Sequence, residues 1–137
     1  MKSVLVDTLA WLALINKSDL RHKKAKKIRD RLFESHCNLL ITDYILVETA
    51  NALSRIPFRK AAIQLISFIQ SSENIQLIEI DKSLFLKAWD LYSARLDKEW
   101  SLTDCANFIV MNAMGISEAF TSDHHFEQAG FRILIKE

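Results

Sequence analysis

Short apolar segments that end at polar or charged residues alternate with longer helix-like segments along the chain. The clearest are 4–6 (VLV), 39–41 (LLI) and 119–121 (AFT), and the first is followed at once by Asp7. Apolar runs of this length, without polar residues at alternate positions, are typical of strands buried on both faces of a parallel sheet. Because a helix-like segment follows each of them, the pattern predicts an α/β domain with a short, mostly parallel sheet.

The remaining segments complete this pattern. Weaker strands are predicted at 75–80 and 131–135, which gives a sheet of four to five strands. Helices are predicted at 8–15, 20–35, 44–55, 57–70, a segment that contains Leu84, Ala88 and Leu91, 101–115 and 125–130. A domain has roughly 150 residues. The chain of 137 residues, which has no repeat or linker, is therefore expected to form one domain over residues 1–137.

Glycine is scarce enough to exclude two classes of phosphate-binding site. The chain has two glycines, Gly115 and Gly130, and one proline. A Walker loop and a GxGxxG dinucleotide loop both need several glycines close together, because their backbone N–H groups must approach the phosphates. If this protein handles phosphates, side chains with a metal ion are the obvious substitute for such a loop.

Basic residues are concentrated in one predicted helix. The whole chain has 18 Lys and Arg against 17 Asp and Glu, a net charge of +1, which gives no general affinity for nucleic acid. The segment 21–31 alone carries seven basic residues and one acid, or +6, so the remaining 11 basic and 16 acidic residues sum to −5. This helix could contact an RNA backbone or form an ordinary solvated face, and the sequence does not distinguish the two.

Cysteine use and hydropathy predict a soluble, cytoplasmic protein. Cys37 and Cys105 are far apart and form no CxxC pair, which favours two reduced thiols. The longest uncharged segment, 105–117, has 13 residues, whereas about 20 are needed to span a bilayer. Asp7 interrupts the apolar N-terminal segment, so a signal peptide is not expected.

Two acids follow predicted strands. Asp7 comes directly after segment 4–6, and Asp123 lies one residue beyond segment 119–121. Ligands bind at the carboxyl ends of parallel strands, so both positions favour a functional site. Asp is also a good N-cap for a helix that follows, and this alternative is open for each acid.

Glu48 and Asp104 are two further acids in apolar surroundings. Glu48 shares a narrow polar stripe with Asn51 and Arg55 on a helix that is apolar almost all round. Such a helix is expected to be buried, and its stripe to face a polar cleft, with a solvent face as the alternative. Asp104 opens an apolar helix and shares one face with Asn107. The residues before Asp104 also fit a capping box, which is compatible with ligand binding.

Four carboxylates close together need a counter-charge, because like charges a few ångströms apart raise each other's pKa. Mg²⁺ or Mn²⁺ meets this need, since these ions take oxygen ligands, keep bound waters and contact phosphate oxygens. Such an ion can activate water for attack on a phosphodiester. Thr8 and Thr121 flank the acids and could orient a water, and Arg55 is a candidate substrate contact near the predicted cleft.

The four acids lie in segments that resemble the PIN-domain family. The segments are 6–8 (VDT), 44–48 (YILVE), 101–105 (SLTDC), 120–126 (FTSDHHF) and 126–131 (FEQAGF). Their order and spacing are similar to those of the VapC-type toxins of bacterial toxin–antitoxin pairs, and the resemblance extends over residues 4–134. Leu9 and His124 differ from the residues that are frequent at these positions in the family.

This resemblance implies a three-layer α/β/α domain with the activity of a metal-dependent endoribonuclease. It also implies a homodimer and a small antitoxin that covers the active site. The four acids of the family carry over onto Asp7, Glu48, Asp104 and Asp123. The implied metal ligands are Asp7, Asp104 and Asp123. Asp7 and Asp104 are expected to bind the ion directly, while Glu48 and Asp123 act through water or tune the site.

Other chemistries remain as alternatives. The acids could serve as caps and ion-pair partners in a non-catalytic binding module. A phosphatase with an aspartate nucleophile would use Asp7, but enzymes that resemble the haloacid dehalogenases have a second Asp at the position of Leu9. His124 and His125 are expected to point apart and have no partner at zinc-ligand spacing, which disfavours zinc. Cys105 has no evident basic partner, so its thiol is expected to pack rather than react.

Overall fold

Five strands form one parallel sheet in the computed structural model, which describes residues 2–136. In chain order they are β1 (Ser3–Val6), β2 (Asn38–Thr42), β3 (Ile75–Ile78), β4 (Glu118–Phe120) and β5 (Arg132–Ile133). Their order across the sheet is β3-β2-β1-β4-β5, and every neighbouring pair is parallel. The predicted sheet of four to five mostly parallel strands is therefore confirmed.

Seven helices connect the strands in the described part of the chain. They are α1 (Thr8–Ile15), α2 (His22–Glu34), α3 (Asp43–Ala52), α4 (Ile56–Ser71), α5 (Lys82–Ala94), α6 (Leu102–Met114) and α7 (His124–Gln128). Each corresponds to a predicted helix. α2 begins two residues later than predicted, because the Asp19 side chain accepts the N–H of Arg21 in a turn before the helix. Over residues 2–136, none of these helices combines the length and apolar character that crossing a bilayer requires.

Helices cover both faces of the sheet. Successive side chains of a strand point to opposite faces, and Val4, Leu5 and Val6 of β1 are all buried. α1 packs against α2 and α3, while α5 packs against α6. The domain therefore has the three-layer α/β/α arrangement that the family resemblance implied.

Aromatic residues join α7 to the core. Phe108 of α6 packs edge-on against Trp100 and Phe126, with ring centroids 5.1 and 5.0 Å away. Phe108 and Phe126 are fully buried, and burial of each Phe side chain contributes roughly 1.5–3 kcal/mol. The indole N–H of Trp100 donates to Oε1 of Gln128 at 3.0 Å. These contacts fix the short helix α7 against the start of α6.

The strand order places the carboxyl end of β1 at a switch point. β2 lies on one side of β1 and β4 on the other. Val6 is in register with Phe120, and the N–H of Asp7 donates to the carbonyl of Phe120 at 3.1 Å. Ligands bind outside the carboxyl ends of parallel strands at such points. Asp7 and Asp123, which follow β1 and β4, lie at this edge.

Two predicted strands are shorter than expected. β3 ends at Ile78 rather than at residue 80, because the N–H of Ile80 donates to the side chain of Asp43 instead of to a strand. β5 covers only Arg132–Ile133, although the N–H of Ile135 still donates to the carbonyl of Thr121 at 3.0 Å. The regular ladder thus gives way to one side-chain hydrogen bond after β3, and after β5 to the backbone hydrogen bonds of Leu134 and Ile135.

Candidate active site

Asp7 lies at the centre of the carboxyl edge of the sheet, with 4% of its surface exposed. Its side chain makes no capping bond to α1; Oδ2 accepts instead from the hydroxyl of Thr121 at 2.8 Å. Burial is the main cause that raises the pKa of Asp7 from 3.8 to about 7, and the charges of Asp104 and Glu48 add to it. Hydrogen bonds from Thr121 and the backbone of Thr8 oppose the rise in this pKa.

Thr121 forms hydrogen bonds with both Asp7 and Asp123. Its hydroxyl donates to Asp7 and accepts the N–H of Asp123 at 3.1 Å. The carboxylate of Asp123 caps α7, since Oδ1 accepts the N–H of His125 at 2.9 Å. The capping role considered for Asp123 is therefore present, and it occupies one of the two carboxyl oxygens.

Asp104 has a capping role as well. The hydroxyl of Ser101 accepts the N–H of Asp104, and Oδ2 of Asp104 accepts the N–H of Ser101 at 3.1 Å. The predicted capping box is thus confirmed. Burial raises the pKa of Asp104, and the nearby charge of Asp123 raises it further, while the bonds from Ser101 and His125 act in the opposite direction.

His125 contacts two of the acids, which the sequence did not reveal. Its Nδ1 lies 3.1 Å from Oδ2 of Asp104 and 3.4 Å from Oδ1 of Asp123. The expectation that His124 and His125 point apart is wrong. Their ring centroids are 4.6 Å apart, and with Asp123 they offer ligand atoms within 4.8 Å of one another. A helix of five residues brings both rings to the side on which Asp123 lies.

Glu48 lies at the rim of the site rather than in its interior. It is exposed on α3 and lines an open concavity of about 400 Å³ with Tyr44, Val47, Asn51 and Thr103. The prediction that its helix is buried almost all round is wrong, because Val47 is 57% exposed. The polar stripe faces a concavity that is open to solvent. It therefore combines features of the two predictions for Glu48, a polar cleft and a solvent face.

The predicted substrate contacts lie in different surroundings. Thr8 and Thr121 are buried beside Asp7. Arg55 is exposed at the N-cap of α4, and within residues 2–136 it makes no ion pair with the four acids. Only the two threonines therefore belong to the cluster that the structure brings together.

The donor atoms and the charge balance of the cluster fit a hard divalent cation. In the described residues, no Lys or Arg side chain forms an ion pair with Asp7, Asp104 or Asp123. Oδ1 of Asp104 and Oδ2 of Asp123 have no hydrogen-bond partner within residues 2–136. The buried hydroxyl of Thr8 also lacks a partner in this part of the chain. Mg²⁺ and Mn²⁺ prefer oxygen ligands of this kind.

Two neighbours of Asp104 on α6 have packing roles. Asn107, predicted to share its face, is fully buried and accepts a hydrogen bond from the Thr42 hydroxyl at 2.8 Å. Cys105 is buried, and burial, with a smaller effect of the Asp104 charge, raises the pKa of its thiol to about 11. A thiol with this pKa is a poor nucleophile near neutral pH, in agreement with the packing role expected for Cys105.

Comparison with known proteins finds relatives that are similar in sequence and in structure over most of this chain. The 23S rRNA-specific endonuclease VapC20 of Mycobacterium tuberculosis is 33% identical over 129 residues, which are 93% of this chain and 95% of VapC20. The crystal structure of VapC20, described as a sarcin-ricin loop cleaving toxin, matches with a TM-score of 0.82 at 31% identity. That match covers 93% of this chain and 95% of VapC20.

A more distant structure shares the fold. FitAcB of Neisseria gonorrhoeae matches with a TM-score of 0.67 at 13% identity, over 95% of each chain. The family model described as the PIN domain matches residues 4–132. This match includes all four acids and every strand except the first residue of β1 and the last residue of β5. The chain therefore belongs to the PIN-domain family.

Proposed function

We propose that this chain is a metal-dependent endoribonuclease that hydrolyses phosphodiester bonds of RNA, and that it is the toxin of a toxin–antitoxin pair. The observation that carries the proposal is that the charge of Asp104 raises the pKa of Asp7 and the charge of Asp123 raises that of Asp104, while none of the three has a Lys or Arg partner in residues 2–136. The similarity to VapC20 over nearly the whole of both chains supports the same activity.

Asp7, Asp104 and Asp123 would hold one or more Mg²⁺ or Mn²⁺ ions. When bound, such an ion stabilises charge on phosphoryl oxygens and lowers the pKa of bound water. Thr121 fixes the orientation of the Asp7 carboxylate through its hydroxyl. Glu48 faces the adjoining concavity, where its carboxylate would orient the attacking water by accepting a hydrogen bond.

The reaction itself is a hydrolysis. The water oxygen forms a bond to phosphorus, the bond from phosphorus to the displaced ribose oxygen breaks, and that oxygen takes up a proton. Arg55 is exposed at the start of α4, four residues before Arg59, whose guanidinium is oriented by a bond to the Ser54 carbonyl at 3.0 Å. We propose that Arg55 contacts RNA phosphates outside the acidic cluster.

The substrate class follows from the relative. VapC20 is a 23S rRNA-specific endonuclease, so we propose folded ribosomal RNA as the substrate of this chain. A cytoplasmic location follows from this substrate, because the protein and the RNA must meet in the same compartment.

Apolar surfaces support two protein partners. A groove of about 380 Å³ between α1, α2 and α4 is lined mainly by apolar side chains, including Trp11, Phe33 and Phe68. Ile56 and Ile63 on α4 are 90% and 62% exposed. Apolar patches rimmed by polar residues mark protein contact sites. We propose that an antitoxin segment occupies the groove and that a second copy of this chain covers the exposed face of α4.

The test is cleavage of ribosomal RNA by the purified protein with Mn²⁺, with Mn²⁺ and EDTA, and as Asp7→Asn. We expect loss of cleavage with EDTA and a loss of more than about 100-fold in Asp7→Asn, beyond the 10–100-fold typical of a residue that only supports a ligand. Glu118→Gln, which changes a buried acid remote from the site, is the matched control and should retain cleavage.

Equal cleavage in all three conditions would show a contaminating nuclease and would remove the support for this function. Binding of RNA without any cleavage would favour the non-catalytic binding module. A covalent aspartyl-phosphate on Asp7 would favour the phosphatase.

A further inference from the structure

His125 is held in a fixed position beside the acidic cluster. It is the second residue of α7, and its side chain is 23% exposed. Phe126, the next residue, is fully buried against Phe108, and Gln128 is bonded to Trp100. The imidazole therefore projects from a helix that is anchored by the residues that follow it.

The ring lies between two acids that come from different layers of the domain. Asp123 follows β4 and is tied to Asp7 through Thr121, whereas Asp104 begins α6. Within residues 2–136, His125 is the one residue whose side chain contacts both Asp104 and Asp123. No strand ladder sets the separation of these two carboxylates; the packing of α7 against the start of α6 brings them near each other, and His125 lies between them.

His125 lies beside one carboxyl oxygen of each acid, and the other oxygen of each has no hydrogen-bond partner within residues 2–136. Nδ1 faces Oδ2 of Asp104, which also accepts from Ser101, and it faces Oδ1 of Asp123, which also accepts the N–H of His125. An ionised carboxylate has only acceptor atoms, so in the tautomer that bonds to Asp104 the hydrogen is on Nδ1. An Nδ1 that carries a hydrogen has no lone pair for a metal ion.

We propose that His125 is a positioning residue, which holds Asp104 through a hydrogen bond from Nδ1 and lies close enough to Asp123 to fix the separation of these two carboxylates where they would bind a divalent cation. This inference rests on the proposed metal-dependent function. It adds a residue that contacts neither the RNA nor the ion. Residues that orient metal ligands in this way typically change metal affinity 10–100-fold when they are replaced.

Two substitutions separate the donor from the rest of the ring. His125→Asn keeps an N–H at the Nδ1 position, because both atoms are bonded to Cγ, while His125→Phe keeps the volume of a ring without the donor. His36→Asn is the control, since His36 is exposed, lies before β2 away from the acidic cluster, and has φ 53°, a conformation that Asn also adopts.

The first readout is the binding of Mn²⁺ alone, measured by titration calorimetry. We expect the dissociation constant to rise about 10–100-fold in His125→Phe. The dissociation constant should stay within about threefold of the wild type in His125→Asn and in His36→Asn. The second readout is RNA cleavage at saturating Mn²⁺, where His125→Phe should lower kcat at unchanged KM and His125→Asn should restore kcat.

Several outcomes would overturn the proposal. Wild-type affinity for Mn²⁺ in His125→Phe, or equally weak binding in His125→Asn and His125→Phe, contradicts a positioning role. Pulsed EPR of the wild-type Mn²⁺ complex that shows a directly bound imidazole nitrogen would make His125 a ligand instead. If His125→Phe does not fold, His125→Gln replaces it in the test. This variant moves the amide away by one methylene and should weaken Mn²⁺ binding in the same way. A wild-type protein that neither binds Mn²⁺ nor cleaves RNA would refute the proposed function itself, and this inference with it.

Discussion

Asp7 and Glu118 are buried to nearly the same extent in one sheet, with 4% and 5% of their surfaces exposed, but their surroundings are opposite. Glu118 begins β4 at the amino edge, and its two carboxyl oxygens lie 2.7 Å from Lys2 and 3.2 Å from Arg132. Asp7 follows β1 at the carboxyl edge, where it faces the charges of Asp104 and Glu48.

The difference separates a structural acid from a functional one. Lys2 and Arg132 are themselves exposed, so the chain compensates the charge of Glu118 with cations that stay hydrated. The chain supplies no cation to Asp7 among the described residues, and burial, with the charges of Asp104 and Glu48, raises the pKa of Asp7 to about 7. A buried carboxylate that the protein leaves uncompensated is a candidate for binding an external cation.

The largest effect is expected from the titration of Asp7 in the metal-free protein. Its pKa is about 7 when folded against 3.8 for an unperturbed Asp. Between these values the folded chain binds a proton that the unfolded chain has released. The ionised group therefore lowers stability as pH rises, and the loss is complete above the folded pKa. At 1.36 kcal/mol per pKa unit, the effect is at most roughly 4 kcal/mol.

Urea denaturation with EDTA, measured from acidic to alkaline pH, tests this expectation. Asp7→Asn keeps an acceptor for Thr121 and removes the charge. This variant should match the wild type near pH 4 and exceed its free energy of unfolding at pH 8. A difference that does not change with pH would mean that Asp7 does not titrate in this range.

The second prediction makes Glu118 resemble Asp7. Replacing both Lys2 and Arg132 by Met leaves a buried carboxylate without a cation, which should lower the free energy of unfolding by roughly 1–3 kcal/mol. Thermal and urea unfolding at pH 8 measure the loss. Arg29→Met, which breaks an exposed pair with Asp30, is the control and should change stability by no more than about 1 kcal/mol. Equal losses in the two variants would show that burial of Glu118 has no special consequence.

The smallest expected change in stability distinguishes Thr121 from Thr8, the two threonines beside Asp7. Thr121→Val removes a buried hydrogen bond to Asp7 and should cost about 1 kcal/mol of stability. It should also move the titration of Asp7 to higher pH, because the bond from Thr121 lowers that pKa. Thr8→Val removes a hydroxyl without a partner in residues 2–136 and should not lower stability. A larger loss in Thr8→Val than in Thr121→Val would reverse these assignments.

The fold and the meeting of Asp7 with Asp123 were predictable because both follow from strand patterns. An apolar run fixes a buried parallel strand, and the residue after it must then lie at the carboxyl edge. The capping box at Ser101 was predictable for a similar reason, since it depends on local spacing alone.

The contacts of His125 and the exposure of Val47 were not predictable in this way. The position of the His125 ring depends on how a five-residue helix is anchored by distant aromatic side chains. The apolar character of Val47 and its neighbours predicts a buried helix, yet only Ile45 and Thr49 of α3 are buried. A hydropathy pattern does not distinguish an apolar side chain that packs within its own chain from one that lies on the surface.

The capping box of α6 links the dynamics of a helix end to the proposed chemistry. The bonds that close the first turn of α6 are the same bonds that orient Asp104. Ends of helices open more readily than their centres, and such opening is visible as rapid exchange of the amide hydrogen with solvent. In this domain, opening of that turn would break the hydrogen bonds that orient the Asp104 carboxylate. Protection of the Asp104 amide against exchange therefore measures how firmly that carboxylate is oriented.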